Sequence, residues 1–341
     1  MTPKEMRAAV IDRFGGPETL SIRRVPAPEI KPDQILIRVE SAGVGVWDVA
    51  EREGTLARRF DRVYGIKASF PYVIGSEGAG TVVGLGEKVS GFRNGDLVYA
   101  HVWARDPKAG FYAEYLAVEA EQARQIPSNL TVEQAGALFI DGAVALRGLD
   151  DILGLKPDQK LMIFGASGGI GHLAVQLARQ RGAQVFAVAS QKDGVALARR
   201  LGANAVVDGH NDDVAASAHE FAPDGFDAAL VTVRGQVAEA IKATESALTA
   251  MREGGRVAYP WASDVMPAPK APSKVHLLSY GIVDARGKVD RELMSKLNRE
   301  IEVSPFEVHL DKTFSLDQVA DAHRALSSHY SGRLALLPGK T

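Results

Sequence analysis

The chain has 341 residues, 46% hydrophobic and 24% charged, with 40 basic against 42 acidic side chains. That near balance argues against a nucleic-acid partner, and the length suggests about two domains. There is no cysteine, which excludes disulfides, a thiolate nucleophile, iron–sulfur clusters and cysteine-ligated zinc. Met1 to Arg7 has no apolar run of the secretory type, and no stretch reaches the roughly 18 apolar residues of a membrane span. A cytoplasmic globular protein without a membrane partner is expected.

In chain order, the first 125 residues read as β-rich. Gln34 to Ala42 alternates apolar and polar residues in the manner of a half-buried strand. Tyr72 to Leu85, Leu97 to Ala104 and Ala113 to Val118 are further short apolar stretches between turn residues. Their close spacing suggests a barrel or sandwich. From Val132 to Leu149 the apolar spacing turns helical, opened by Thr131 with Gln134 three residues on, a capping-box pattern. Strands then alternate with helices. Strands are expected at Leu161–Phe164, Gln184–Ala189, Ala205–Val207, Phe226–Val231 and Arg256–Tyr259. Helices are expected at Ile170–Arg181, Gly194–Leu201 and Val237–Met251. This order predicts a parallel sheet with helices on its faces. Pro260, Pro267, Pro269 and Pro272 then mark a loop. A helix (Asp290–Glu300), an extended stretch (Phe306–Phe314), a second helix (Leu316–Leu326) and a strand (Arg333–Leu337) close the chain.

Residues 160–179 read KLMIFGASGGIGHLAVQLAR. Gly165, Gly168, Gly169 and Gly171 lie between a strand and a helix, with a second strand within about 30 residues. A bound pyrophosphate needs close backbone approach and the unpaired N–H groups of a helix N-terminus. Gly165, Ser167, Gly168, Gly169 and Ile170 are therefore the expected phosphate cradle, with Val231 and Tyr259 further along the dinucleotide. Sites selective for NAD place a carboxylate at the end of the second strand, against the ribose 2′-OH. Here that strand end carries Ser190, Gln191 and Lys192. A hydroxyl and an ammonium suit a 2′-phosphate, so NADP(H) is the predicted cofactor, with Asp193 the acidic residue nearest to contradicting it.

These segments, with Ala42-Gly43 followed by Asp48, PYVIGSEGAGTVVGLGEKVSGFRNGDLV at 71–98, Gln176 and Arg179 behind the glycine turn, and FSLDQVADAHRALSS…SGRLALLP at 314–338, resemble the medium-chain dehydrogenase/reductase superfamily. The likeness is greatest to its zinc-free quinone oxidoreductase (zeta-crystallin-like) branch and spans nearly the whole chain. It implies an α/β fold: a Rossmann-type doubly wound parallel sheet at 126–265, and a GroES-like, β-rich catalytic domain built from 1–125 and 266–341. It also implies NADPH-dependent reduction of quinones or α,β-unsaturated carbonyls by a homodimer. Zinc-containing members place a Cys and a His where this chain has Gly45 and Ser76, and neither replacement ligates zinc. The eight histidines show no ligand spacing, so no metal is expected. Lone histidines such as His172 and His323 read as structural or solvated.

Gly45, Val144, Asp141 and Pro260-Trp261 depart from the branch at the expected nicotinamide end. Gly45, Trp47 and Asp141 are the expected substrate-pocket residues. A carbonyl oxygen that gains charge needs hydrogen-bond donors; Tyr64 is the candidate catalytic donor, with Trp47 and Ser41 as others. Asp48 reads as structural. Two alternatives stand beside the quinone or enone reductase: a reductase of enoyl thioesters, and an NADPH-binding sensor or RNA-binding protein with little turnover. Arg256–Tyr259 is the edge expected to pair across a dimer.

Overall fold

The computed structural model describes residues 3–65, 67–102, 109–233, 237–260, 269–283 and 288–339. The chain divides into two units, Met1–Ile140 with Val283–Thr341, and Asp141–Ile282. The sequence reading put these boundaries at 125/126 and 265/266. The first shifts because the segment after Gln125 packs on the β-rich unit: Ser41 Oγ donates to Glu133 O (3.1 Å) and Ile140 N donates to Glu77 Oε2 (2.8 Å). The second shifts because one more strand joins the parallel sheet.

In the β-rich unit, β3 (Gln34–Val44), β5 (Glu77–Leu85), β6 (Leu97–His101), β8 (Ala123–Gln125), β15 (Leu310–Ser315) and β16 (Arg333–Leu337) form one sheet, in the order β15-β16-β3-β5-β6-β8. β7 (Tyr115–Glu119) adds to β3. β1 (Glu5–Ile11), β2 (Ser21–Pro26) and β4 (Tyr72–Val73) form a smaller sheet. The expected half-buried strand at 34–42 is buried on both faces over its first four residues; beyond them Arg38 is exposed and Glu40 half-buried, as the alternation predicts. It lies inside the sheet, so Leu36 is as enclosed as Ile35 and Ile37. The core gathers Ile35, Ile37, Val39, Val82, Val98, Leu334 and Leu336.

Two helices absent from the β-rich reading, α1 (Val46–Arg52) and α2 (Thr55–Tyr64), follow β3. They part at Gly54, whose φ of +76° is left-handed backbone open to glycine. The helix expected at 132–149 is interrupted. α3 (Val132–Ala135) carries the reciprocal Thr131–Gln134 cap, and α4 (Phe139–Arg147) runs into a π-turn at Gly148–Ile152. Gly136, between them, presses on Ser41, leaving no room for a Cβ. α9 (Arg291–Glu302) and α10 (Val319–Ala325) belong to the same unit as β15 and β16.

The second unit holds a six-stranded parallel sheet in the order β11-β10-β9-β12-β13-β14. Its strands are β9 (Lys160–Phe164), β10 (Gln184–Ala189), β11 (Ala205–Asp208), β12 (Phe226–Val231), β13 (Met251–Tyr259) and β14 (His276–Ser279). Its further helices are α5 (Gly169–Gln180), α6 (Gln191–Arg200), α7 (Val214–Phe221) and α8 (Val237–Ala250). This is the doubly wound order 3-2-1-4-5-6, whose switch point lies between β9 and β12. The central strands read as near-continuous apolar runs because both faces are covered. β14 lies in what read as a proline-marked loop. It pairs with β13 through Tyr259↔Ser279, so Arg256–Tyr259 is not the sheet edge expected from sequence. Trp261 and Ala104 lie outside the described residues.

Candidate functional site

The phosphate turn is built by the chain leaving β9. Gly165 is left-handed (φ +76°), and a Cβ there would meet Thr232 Oγ1 at 2.9 Å. Thr232, beyond β12, donates through Oγ1 and N to Phe164 O (2.8 and 2.9 Å), tying the two strands at the switch point. A Cβ on Gly171 would fall on the Gly165 carbonyl oxygen, so this glycine lets α5 close onto the strand. Gly168, the N-cap of α5, instead faces space: a Cβ would meet only Gly165 O, at 3.4 Å. His172 is buried behind the turn, its Nδ1 2.9 Å from Gly168 O. Gly169 and Ile170 open α5. This donor set and its glycine-cleared face fit a pyrophosphate.

Ser167 Oγ accepts from Ser190 N (3.3 Å), joining the turn to the end of β10. Ser190 is the N-cap of α6, yet its hydroxyl does not cap the helix. Gln191 follows with a left-handed φ of +60°, and Lys192 is exposed in the first turn. Val231 and Tyr259 are buried at the carboxyl ends of β12 and β13. The structure thus collects the predicted cofactor residues along the carboxyl ends of one sheet.

The β-rich unit carries a buried polar cluster at the positions of the absent zinc ligands. The Asp48 carboxylate accepts from Gly45 N (2.8 Å) and Ser76 N (3.0 Å), so one side chain ties both positions together. Burial, with a smaller contribution from the Glu51 carboxylate, pushes Asp48 up to about 6. Ser76 Oγ is buried without a hydrogen-bond partner among the described residues. Glu51 accepts from Tyr72 Oη and Gly75 N (3.3 Å each). Arg333 and Glu77 form a buried ion pair. Its guanidinium fills the space above Gly45, where a Cβ would lie 3.2 Å from Nη1. His323 is buried and accepts from Arg52 at Nδ1 (3.0 Å). Burial, then the arginine charge, hold its imidazole down to about 3, so it is neutral. Among the described residues no group of three or more His, Asp or Glu is placed to hold a metal.

Trp47 is half-buried on α1, and Asp141 is fully buried on α4. Ser41 is corrected as a donor candidate, because its buried hydroxyl already serves Glu133 O. Tyr64 ends α2, and its side chain lies outside the described residues. The sequence reading missed Glu51, the pairing of Arg333 with Glu77, and His210 in the turn after β11. The helical spacing of Val49, Leu56, Phe60 and Val63 was a usable signal for α1 and α2. The pair spans 256 residues and had none.

Two families match, the alcohol dehydrogenase GroES-like domain at residues 31–128 and the zinc-binding dehydrogenase family at 169–260. The chain is 30% identical to a 2-methylene-furan-3-one reductase of Solanum lycopersicum, and 29% identical to the chloroplastic NADPH-dependent alkenal/one oxidoreductase of Arabidopsis thaliana. Each alignment covers 98% of this chain and 80% of the relative. The solved quinone oxidoreductase of Coxiella burnetii aligns over 98% of this chain and 100% of its own, with a TM-score of 0.81 and 25% identity.

Proposed function

The chain belongs to the medium-chain dehydrogenase/reductase superfamily, and on that premise we propose that it is an NADPH-dependent, zinc-independent oxidoreductase of quinones or α,β-unsaturated carbonyls. The observation that carries the reading is the Asp48 tether. Gly45 and Ser76 are fixed by their backbone N–H groups to one carboxylate, and neither presents a thiolate, imidazole or carboxylate to a metal. The alkenal/one and furanone reductase relatives support the enone class.

The bound dinucleotide would supply the hydride. Gly165, Ser167, Gly168, Gly169 and Ile170 would hold its pyrophosphate, Val231 and Tyr259 would line its further course, and Ser190 and Lys192 would receive the 2′-phosphate. Gly45, Trp47 and Asp141 are proposed to shape the acceptor pocket. Reduction of an enone or quinone leaves negative charge on oxygen, which hydrogen-bond donors stabilise. Tyr64 is the proposed donor. The unpartnered Ser76 hydroxyl is a second candidate, because a buried hydroxyl has much to gain from a partner.

A screen of NADPH oxidation across quinones, enones and aldehydes, with and without chelator, tests this. Turnover with quinones or enones, unchanged by chelator, is expected. Failure of every quinone and enone overturns the reading, and tight NADPH binding in that case favours the sensor alternative. The reading also includes a cytoplasmic homodimer. Among the described residues no helix is long and apolar enough to cross a membrane. The outer strand β14 offers an edge that a second copy could pair with. A monomer by light scattering would remove the dimer.

A further inference from the structure

We propose that His210, in the turn after β11, is the residue that makes this chain selective for a 2′-phosphorylated dinucleotide, acting as a pair with Ser190. The inference rests on the NADPH reading above and names the chain's own selectivity residue.

Ser190 sits where a helix-capping serine is expected, and serine at that position ordinarily accepts from the N–H groups of the first turn. Here the hydroxyl makes no capping bond. It lies 3.1 Å from His210 Nε2, across the ends of β10 and β11. With the hydrogen on Nε2, the imidazole donates to Oγ and the hydroxyl hydrogen is free to turn outward to a phosphate oxygen. Gly209 sets the approach. Its N–H donates to Ala189 O (2.9 Å), and a Cβ would stand 2.9 Å from Val188 Cγ1. A larger residue would push the turn, and His210 with it, away from β10.

The nearby carboxylate is already engaged. Asp208, the last residue of β11, accepts from His210 N (3.0 Å), Asn211 Nδ2 (2.8 Å) and the backbone N–H of Gln191. Those hydrogen bonds hold it below its usual range and keep it ionised. Its oxygens therefore pin the two turns rather than reach for a ribose hydroxyl, the task of the acidic residue in NAD sites. Asp212 is likewise engaged, accepting from Asp208 N (2.8 Å). The Gln191 N–H bond also accounts for the left-handed backbone at that residue, a conformation that a non-glycine side chain adopts at a cost. The strand end thus presents a hydroxyl and an imidazole, with Lys192 exposed on the next helix beside Asp193, while Asp208 and Asp212 accept from backbone N–H groups.

The test uses the full-length protein and direct binding, so turnover is not required. NADPH and NADH are titrated by cofactor fluorescence, and 2′,5′-ADP and 5′-AMP by calorimetry, on the wild type, His210→Ala, His210→Lys and Ser190→Ala. The wild type should prefer the phosphorylated member of each pair. His210→Ala should weaken NADPH and 2′,5′-ADP about tenfold, the scale of one hydrogen bond to a charged group, and leave NADH and 5′-AMP unchanged. His210→Lys should restore most of the loss. If the wild type is selective and His210→Ala weakens both members equally, or neither, the His210 assignment is wrong and the NADPH reading stands. If the wild type does not distinguish the pairs, the NADPH reading itself fails. His210 is exposed, so an unchanged melting temperature in each variant is expected.

Discussion

Glycine does opposite work in the two halves of this molecule. At the phosphate turn, Gly168 leaves space outside the fold, where a ligand can approach the backbone. In the β-rich unit, Gly43 and Gly45 leave space inside it, and the chain fills that space itself. A Cβ on Gly43 would collide with Glu77 and Arg333, and one on Gly45 would crowd the Arg333 guanidinium. The same residue type thus leaves an open backbone face in one unit and makes room for a packed ion pair in the other. Only the neighbours distinguish the two uses. The comparison also shows which end of the chemistry the fold commits to. The phosphate turn follows the general phosphate-binding plan, whereas in the β-rich unit Asp48 ties Gly45 to Ser76 beside a buried Glu77–Arg333 pair.

The largest expected effect tests the filled space. Arg333→Met would leave the Glu77 carboxylate buried without its cation, at a cost of about 4 kcal/mol. The double variant Glu77→Gln/Arg333→Met should recover most of this, because glutamine can still accept from Ile140 N. Chemical denaturation of the four members of the cycle measures the coupling. A single variant that loses less than about 1 kcal/mol, the range of an exposed pair, would show that the pair is not the unit that needs these glycines.

The next effect separates two glycines only three residues apart. Gly171→Ala should destabilise the protein by about 3 kcal/mol, because the obstruction is the Gly165 carbonyl and backbone yields poorly. Gly168→Ala should change stability by less than about 0.5 kcal/mol, since a Cβ there meets nothing closer than 3.4 Å. It should nevertheless weaken NADPH binding. Melting curves and cofactor titrations on both variants check this. Full NADPH affinity in Gly168→Ala would show that the open face is not the ligand face.

These pairs also show what was legible in sequence. The strand–turn–helix context and the bare strand end at Ser190-Gln191-Lys192 were local, and local pattern suffices where the backbone itself binds. Gln184–Ala189, Phe226–Val231 and Arg333–Leu337 match the observed strands residue for residue, because continuous apolar runs bounded by turns leave little choice. β14 was missed since its four residues, HLLS, follow a proline-marked stretch and owe their strand state to pairing with β13. The polar contacts were illegible for a related reason. Glu77 meets Arg333, Arg52 meets His323 and Ser190 meets His210 only after the sheets assemble. Composition established that no cysteine ligand exists; tertiary contacts were needed to show which side chains take over the space.

The smallest expected effect concerns Asp48, which holds Gly45 and Ser76 in register. Its folded pKa, about 6, lies above the roughly 3.9 of an unfolded aspartate. Between these values the folded state binds more protons than the unfolded one, so stability falls as pH rises through the window from about 4 to about 6. The loss levels off above it, after roughly 2–3 kcal/mol. Asp48→Asn has no proton to lose. Asparagine has a single carbonyl oxygen where the carboxylate offers one to each of Gly45 N and Ser76 N, so the variant should start below the wild type at pH 4. Its disadvantage should then shrink or reverse by pH 7. Denaturation of both proteins at pH 4, 5, 6 and 7 gives the difference curve directly. Parallel curves would mean that Asp48 is ionised across the window, and that its two backbone N–H bonds outweigh the burial that opposes its charge. A wild-type curve that falls relative to that of Asp48→Asn between pH 4 and 6 would show that the tether is held by a carboxyl group protonated over part of that range.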